Sequence, residues 1–174
     1  MANEQVTQGA LANRNGRAVE NMIKQTFLTY GIDVFSESLT KRKPALLHNK
    51  DKYVLTNVKY ENIYGRNGRS DFLIKNKGKN TRVEVRFQSS NGSVDEKMPC
   101  LLLNAMQFPE KHVILVVDGD GYRPGAREWL IRQVNDNSLG LKAAGKKLQV
   151  MTIGEFTSWA AKELAPPVKK AANA

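Results

Sequence analysis

The sequence predicts an α/β fold in which a mixed sheet is flanked by helices. Apolar residues alternate with polar ones over residues 81–88, which is typical of a strand, and residues 113–117 form a continuous apolar run that is typical of a strand buried on both faces. Residues 16–30 carry apolar side chains at helical spacing and end at Gly31. Turns join the early strands and helices join the later ones, so we expect an antiparallel first part and helical crossovers afterwards.

The remaining elements follow from local patterns along the chain. Before the hairpin we expect a flexible N-terminus (1–15), a short strand (32–35), a basic connector (37–51), a strand (53–60) and a turn (63–70). After it we expect a turn with a capping-box pattern (93–98), a helix (99–106), a strand (111–118), a loop (119–125), a helix (126–135), a strand (148–153) and a helix (154–164). Residues 165–174 are expected to be a disordered tail, which leaves one domain over 16–164.

A β-hairpin at residues 71–88 is the centre of the functional prediction. A two-residue loop at Lys77-Gly78 fixes a register in which Asp71 lies directly opposite Glu84 on one face. Two opposed carboxylates repel each other unless a cation lies between them, and a hard divalent cation prefers oxygen ligands. The same face carries two further polar side chains, Arg86 and Gln88.

Composition restricts the partner and the compartment. The chain of 174 residues has a formal net charge of +10, which favours a nucleic acid over a membrane as its partner. Cys100 is the only cysteine, so an intramolecular disulfide is excluded, a structural zinc site is disfavoured and a reducing compartment is expected. No apolar run has the length of a signal core or a membrane span, which predicts a cytoplasmic protein.

The order of these residues resembles the PD-(D/E)XK nuclease superfamily, in a prokaryotic or phage member. Asp71 begins the second strand of the motif, and Glu84-Val85-Arg86 stands where the family has D/E-x-K. Helical Glu20 matches an acidic position of many members, and residues 92–99 look like their strand-to-helix stretch. The resemblance covers residues 16–159 and implies a restriction-endonuclease-like core with the order αβββαβ.

The resemblance implies a Mg²⁺-dependent DNA endonuclease, with Mn²⁺ as a substitute for Mg²⁺. Asp71, Glu84 and the carbonyl of Val85 would bind the metal. Glu20 would hold a second metal or orient a water, and Gln88 would support the phosphate or a metal-bound water. Such a sparse ligand set suits Mg²⁺, which keeps several waters of its own.

Arg86 departs from the family pattern, in which a lysine stands at this position. Arginine stays charged and cannot act as a base, although it binds phosphate with two parallel hydrogen bonds. If proton handling is needed, another residue has to supply it, and Lys97 on the following helix is the candidate. A competing interpretation is that Asp71 and Glu84 are structural residues paired with Arg82 or Arg86.

Six basic residues on the hairpin or its approach are expected to contact DNA phosphates: Arg66, Arg69, Lys75, Lys77, Lys79 and Arg82. A homodimer is expected if both strands are cut. Two alternatives stay open. The chain is a non-enzymatic DNA-binding protein that has lost the lysine, or a structural or inhibitory phage protein that uses its basic surface to hold another partner.

Overall fold

The computed structural model describes residues 8–89 and 96–166, with side chains from residue 15 onward. Six strands form one sheet in the order β1-β2-β3-β4-β5-β6. The elements, in chain order, are α1 (Gln8–Thr29), β1 (Asp33–Ser36), α2 (Glu37–Arg42), a 3₁₀ turn (Pro44–Leu47), β2 (Lys52–Glu61), β3 (Asn67–Asn76), β4 (Lys79–Phe87), α3 (Lys97–Gln107), β5 (His112–Asp118), α4 (Ala126–Asn135), β6 (Lys147–Met151) and α5 (Ile153–Leu164).

The sheet is mixed, which confirms the predicted fold class. Strands β2, β3 and β4 are antiparallel neighbours, whereas β4, β5 and β6 run parallel. β1 also pairs in parallel with β2, so the chain between them has to cross back over the sheet. The parallel strands β4 and β5 end at the same edge, and the loops that follow them therefore lie next to each other.

Helices cover both faces of the sheet. On one face α1 and α5 pack through Phe27 and Phe156, whose rings meet edge to face 6.0 Å apart. On the other face α3 and α4 pack on β5 through Leu102 and Leu130. Residues 113–117 of β5 have no exposed surface, which explains why this strand is apolar throughout.

Several element bounds differ from the sequence-based expectations. α1 begins at Gln8 because residues 8–15 include the good helix formers Ala10, Leu11 and Ala12, so the predicted start at residue 16 was too late. The connector 37–51 contains α2, whose first turn is capped by Ser36 through a 3.2 Å bond from the Leu39 N–H. The capping box expected at residues 93–96 and most of the expected tail lie outside the described residues. No helix in the described ranges is long and apolar enough to cross a membrane.

The hairpin has the register that the turn predicted. Lys77 and Gly78 both have positive φ, as a tight two-residue hairpin turn requires, and Phe72 pairs with Val83. The backbone ladder between β3 and β4 ends at that pair. The two acidic residues of interest lie just beyond it. Glu84 lines a hollow with residues of α3, and Asp71 lines one with residues of α1.

Candidate active site

The sheet is irregular around Asp71. On the β2 side the pairing skips from Phe72 to Ser70, and the residue opposite Asp71 is Asn57, which has φ 55°. On the β4 side the ladder stops one residue before Asp71. Such local breaks in pairing re-aim side chains and are common beside active sites.

Carboxylate groups replace the missing backbone bonds between β3 and β4. The Val85 N–H donates to Asp71 Oδ2 at 2.7 Å, and the Asp71 N–H donates to Glu84 Oε2 at 3.4 Å. Each acid is thus fixed by the backbone of the opposite strand. The sequence-based expectation that Asp71 and Glu84 lie side by side across the hairpin agrees with this geometry.

Burial disfavours the ionised form of both carboxylates. The Glu84 side chain is 2% exposed and that of Asp71 is 19% exposed. Loss of water, together with the charge of Asp71, raises the pKa of Glu84 to about 7 against the opposing charge of the Arg86 guanidinium. Burial also raises the pKa of Asp71, against the Val85 N–H bond and the charge of Arg86.

Arg86 contacts both acids and a backbone carbonyl at once. Its Nη1 donates to the Val85 carbonyl at 2.7 Å and lies 3.8 Å from Asp71 Oδ2, while Nη2 donates to Glu84 Oε1. The ion pairs with Arg86 that the competing interpretation expected are therefore present. The Arg86 side chain is 45% exposed, so it lies nearer to the protein surface than the two acids do.

A cavity of about 480 Å³ opens beside this cluster and gathers the other predicted site residues. Its lining includes Glu20, Val85, Arg86, Gln88, Lys97 and Tyr122. A smaller hollow of about 170 Å³ on the β2 side is lined by Glu20, Asn57 and Asp71, so Glu20 borders both spaces. The residues that the sequence selected from four separate elements converge on one location.

Glu20 interacts electrostatically with the acid pair although it lies on a helix. Partial burial raises the pKa of Glu20, the charge of Asp71 raises it further, and Arg86 and Arg17 act in the opposite direction. Glu20 is thus close enough to both Asp71 and Arg86 to respond to a change in either charge.

Tyr122 is a cavity residue that the sequence reasoning missed. The loop after β5 is held against the end of β4 because the Gly121 N–H donates to the Gln88 carbonyl at 2.9 Å. Burial raises the pKa of Tyr122 to about 12, so its hydroxyl keeps its proton even at alkaline pH. One signal could have found it: the loops after two parallel neighbouring strands meet at one sheet edge.

The prediction that Arg82 contacts DNA was wrong. Only 2% of its side chain is exposed, and its guanidinium makes two bonds to Glu110, at 2.7 and 3.0 Å, and one to the Ser70 hydroxyl at 2.7 Å. The alternating pattern of β4 predicted that Arg82 lies on an exposed face of the sheet. However, α3 and the loop after it cover that face. Arg82 therefore ties strands together inside the protein.

The other predicted DNA contacts lie on both sides of Asp71, along the hairpin and its approach. Arg69 is two residues from Asp71 and donates to the Asn57 carbonyl at 2.9 Å. Lys77 is six residues away in the other direction, about 20 Å at the rise of an extended strand. Among these residues, Arg69 is the basic side chain that the strand places nearest to the acids.

A second cavity, of about 550 Å³, lies at the opposite end of the sheet. Its lining includes Lys79, Lys147, His112 and Trp159. Of the two acids that line it, Glu110 is already bonded to Arg82 and Glu163 lies on α5. Although this cavity is larger, the paired acids lie at the other end, and we place the candidate site there.

The donor set at the acid pair fits one type of metal better than others. In the described part of the chain no three His, Cys, Asp or Glu side chains group together. The donors at the acid pair are oxygens, which suit Mg²⁺ better than zinc. Two carboxylates and a backbone carbonyl already converge on one positive group, and Mg²⁺ binds proteins through few such oxygens. The residues present therefore fit a Mg²⁺ or Mn²⁺ ion.

Comparison with known proteins gives one finding. A family model described as a PD-(D/E)XK nuclease superfamily domain matches residues 11–164. No curated protein and no solved structure gives a significant match. The matched range includes all six strands and both acids of the hairpin.

Proposed function

The chain belongs to the PD-(D/E)XK nuclease superfamily, and we propose on this basis that it hydrolyses phosphodiester bonds in DNA with Mg²⁺, or Mn²⁺ in its place. The observation that carries the proposal is the convergence of Asp71, Glu84 and the Val85 carbonyl on a single positive group. Three oxygens around one cation are what a divalent ion would use here.

The metal-binding residues are Asp71 and Glu84, together with the Val85 carbonyl. The bond from the Val85 N–H fixes the Asp71 carboxylate, and the bond from the Asp71 N–H fixes that of Glu84. When bound, the metal would lower the pKa of a water and neutralise charge on the phosphate. The protein supplies rigid oxygens because each acid is fastened to the opposite strand.

Phosphate binding is assigned to the basic and amide groups of the 480 Å³ cavity. Arg86 suits phosphate, since a guanidinium presents two parallel donors, but it cannot accept a proton. Lys97 begins α3 on the cavity wall and is the group that can take the role of the missing lysine. Gln88 and Glu20 line the same cavity and are assigned to orienting phosphate or water.

DNA as the substrate is supported by charge. The net charge of +10 favours a polyanion, and Arg69 lies next to the acid pair along β3. Contacts of this kind give affinity that falls with salt but carry little sequence information. Cutting both strands would require two copies of the site, and we propose a homodimer for that case.

A second candidate function is DNA binding without catalysis. The observation that favours it is the ion pairing of Arg86 with both acids, which compensates their charges without any metal. On this alternative the cluster is a structural element, and the protein binds DNA equally well with or without divalent ions.

Cleavage assays on supercoiled plasmid, branched DNA, single-stranded DNA and RNA with Mg²⁺, Mn²⁺ or EDTA test the proposal. We expect cleavage of at least one DNA substrate with metal and none with EDTA. Asp71→Asn and Glu84→Gln should abolish cleavage and keep DNA affinity, because neither substitution removes a basic group. Lys142→Gln, at an exposed lysine that lines neither cavity, serves as the control that should still cut.

Two outcomes would count against the enzyme. Wild-type protein that binds DNA but cuts no substrate with either metal would favour the non-enzymatic alternative. Cleavage that survives in both Asp71→Asn and Glu84→Gln would place the chemistry elsewhere in the molecule.

A further inference from the structure

Arg86 contacts the same three oxygen-bearing groups that are assigned to the metal. Its Nη1 is 2.7 Å from the Val85 carbonyl oxygen and 3.8 Å from Asp71 Oδ2, and its Nη2 is bonded to Glu84 Oε1. A guanidinium in this position fills the space between the ligands. A Mg²⁺ ion needs the same oxygens at about 2.1 Å, so the two cations cannot use them together.

The two carboxylates need a neighbouring cation whenever both are ionised. Glu84 is 2% exposed and Asp71 is 19% exposed, and among the described residues Arg86 is the cationic side chain in contact with either acid. Losing Arg86 without a replacement would leave two neighbouring carboxylates uncompensated in a poorly hydrated place. Arg86 thus takes over, in the metal-free protein, the electrostatic role of the metal.

The cavity beside Arg86 offers a second position for its guanidinium. Nearly half of its side chain is exposed, and it borders the 480 Å³ cavity that Glu20, Gln88 and Lys97 line. Glu20 is near enough for its charge to interact with that of Arg86, so a displaced guanidinium would meet an acid there. The same cavity is where the phosphate of a substrate is placed in the proposed function.

We propose that Arg86 and the divalent cation are alternative occupants of one site. In the metal-free protein the guanidinium is the resident cation, and metal binding requires it to leave for the cavity, where it becomes available to phosphate. The inference rests on the proposed function for the identity of the metal site. It adds that Arg86, which the proposed function assigns to phosphate, competes with the metal while it lies between the two acids.

Calorimetric titration of Mn²⁺ into metal-free wild type, Arg86→Gln and Arg127→Gln tests the proposal. Arg127 is a matched control, because it too forms an ion pair with a glutamate and its loss changes the net charge equally. We expect Arg86→Gln to bind Mn²⁺ at least about tenfold more tightly than wild type, which is about 1.4 kcal/mol. Arg127→Gln should bind as wild type does.

Thermal unfolding gives a second readout that needs no activity. Without metal, Arg86→Gln should melt below wild type, and added Mn²⁺ should raise its melting temperature more than it raises that of wild type. If Arg86→Gln does not fold without metal, the NMR signals of the Arg86 side chain in wild type are followed instead. Those signals should move during a titration with diamagnetic Mg²⁺ while those of Arg82 stay.

The outcomes separate the inference from the proposed function. Equal or weaker Mn²⁺ binding by Arg86→Gln, or Arg86 signals that do not change when wild type binds metal, would overturn the competition and leave the nuclease proposal standing. Absence of Mn²⁺ binding in both wild type and Arg86→Gln would remove the metal site, and both proposals with it.

Discussion

Replacing Glu84 by glutamine should stabilise the metal-free protein at alkaline pH. The ordinary pKa of Glu84 is 4.5, and the fold raises it to about 7 through burial and the charge of Asp71. A raised pKa means that the folded state holds the proton more tightly than the unfolded state, so stability falls as pH rises through this range. Glutamine resembles the neutral acid in shape and carries no charge to desolvate.

The magnitude follows from the two pKa values. Ionisation of Glu84 lowers the unfolding free energy by about 3 kcal/mol near pH 8 and by about 1 kcal/mol near pH 5. Because the side chain is buried, screening by solvent does not reduce these values. We therefore expect wild type to lose about 2 kcal/mol of unfolding free energy between those pH values. Glu84→Gln should lose much less over the same interval.

Urea unfolding at both pH values, with EDTA present, measures this difference. Glu110→Gln is no suitable control because it breaks a buried pair, so Glu155→Gln, at a largely exposed helix cap, serves instead. A Glu84→Gln protein less stable than wild type near pH 8 would refute the reasoning. Wild-type stability that increases over this interval would refute it equally.

Three further predictions concern the surroundings of the site. Glu110→Gln should lower the unfolding free energy by about 3–5 kcal/mol in urea melts, because it leaves the buried Arg82 charge unpaired. Gly119→Ala should cost about 2 kcal/mol or more in the same assay, since its φ is 108° and a Cβ would lie 2.2 Å from a backbone oxygen, whereas Gly154→Ala in α5 should be neutral or stabilising. Lys97→Gln should slow single-turnover cleavage on the order of a hundredfold with unchanged unfolding free energy, because the exposed lysine supports no packing.

Local turn chemistry explains why the hairpin and its acids could be located from the sequence. Lys77-Gly78 fixes the register of β3 against β4, and that register alone brings Asp71 next to Glu84. The continuous apolar run of β5 likewise defined a strand covered on both faces. These are short-range patterns, and tertiary contacts did not override them.

The wrong or missing predictions concern residues whose burial depends on the helices that pack on the sheet. Alternation in β4 implied that one face is open to solvent, yet the helices cover both faces, and polar Arg82 on that face is buried with Glu110. Tyr122 joins the cavity only because β5 ends beside β4, which depends on strand order. The long-range contacts that place these residues produce no periodic pattern in the sequence.

The central claim is that Asp71 and Glu84 hold one divalent cation between them. Anomalous scattering from crystals of the protein grown with Mn²⁺ tests it most directly. We expect a single Mn²⁺ within about 2.5 Å of oxygens from both carboxylates, with the Arg86 guanidinium displaced into the cavity. Crystals in which Mn²⁺ avoids this position, and Arg86 still bonds both acids, would contradict the claim.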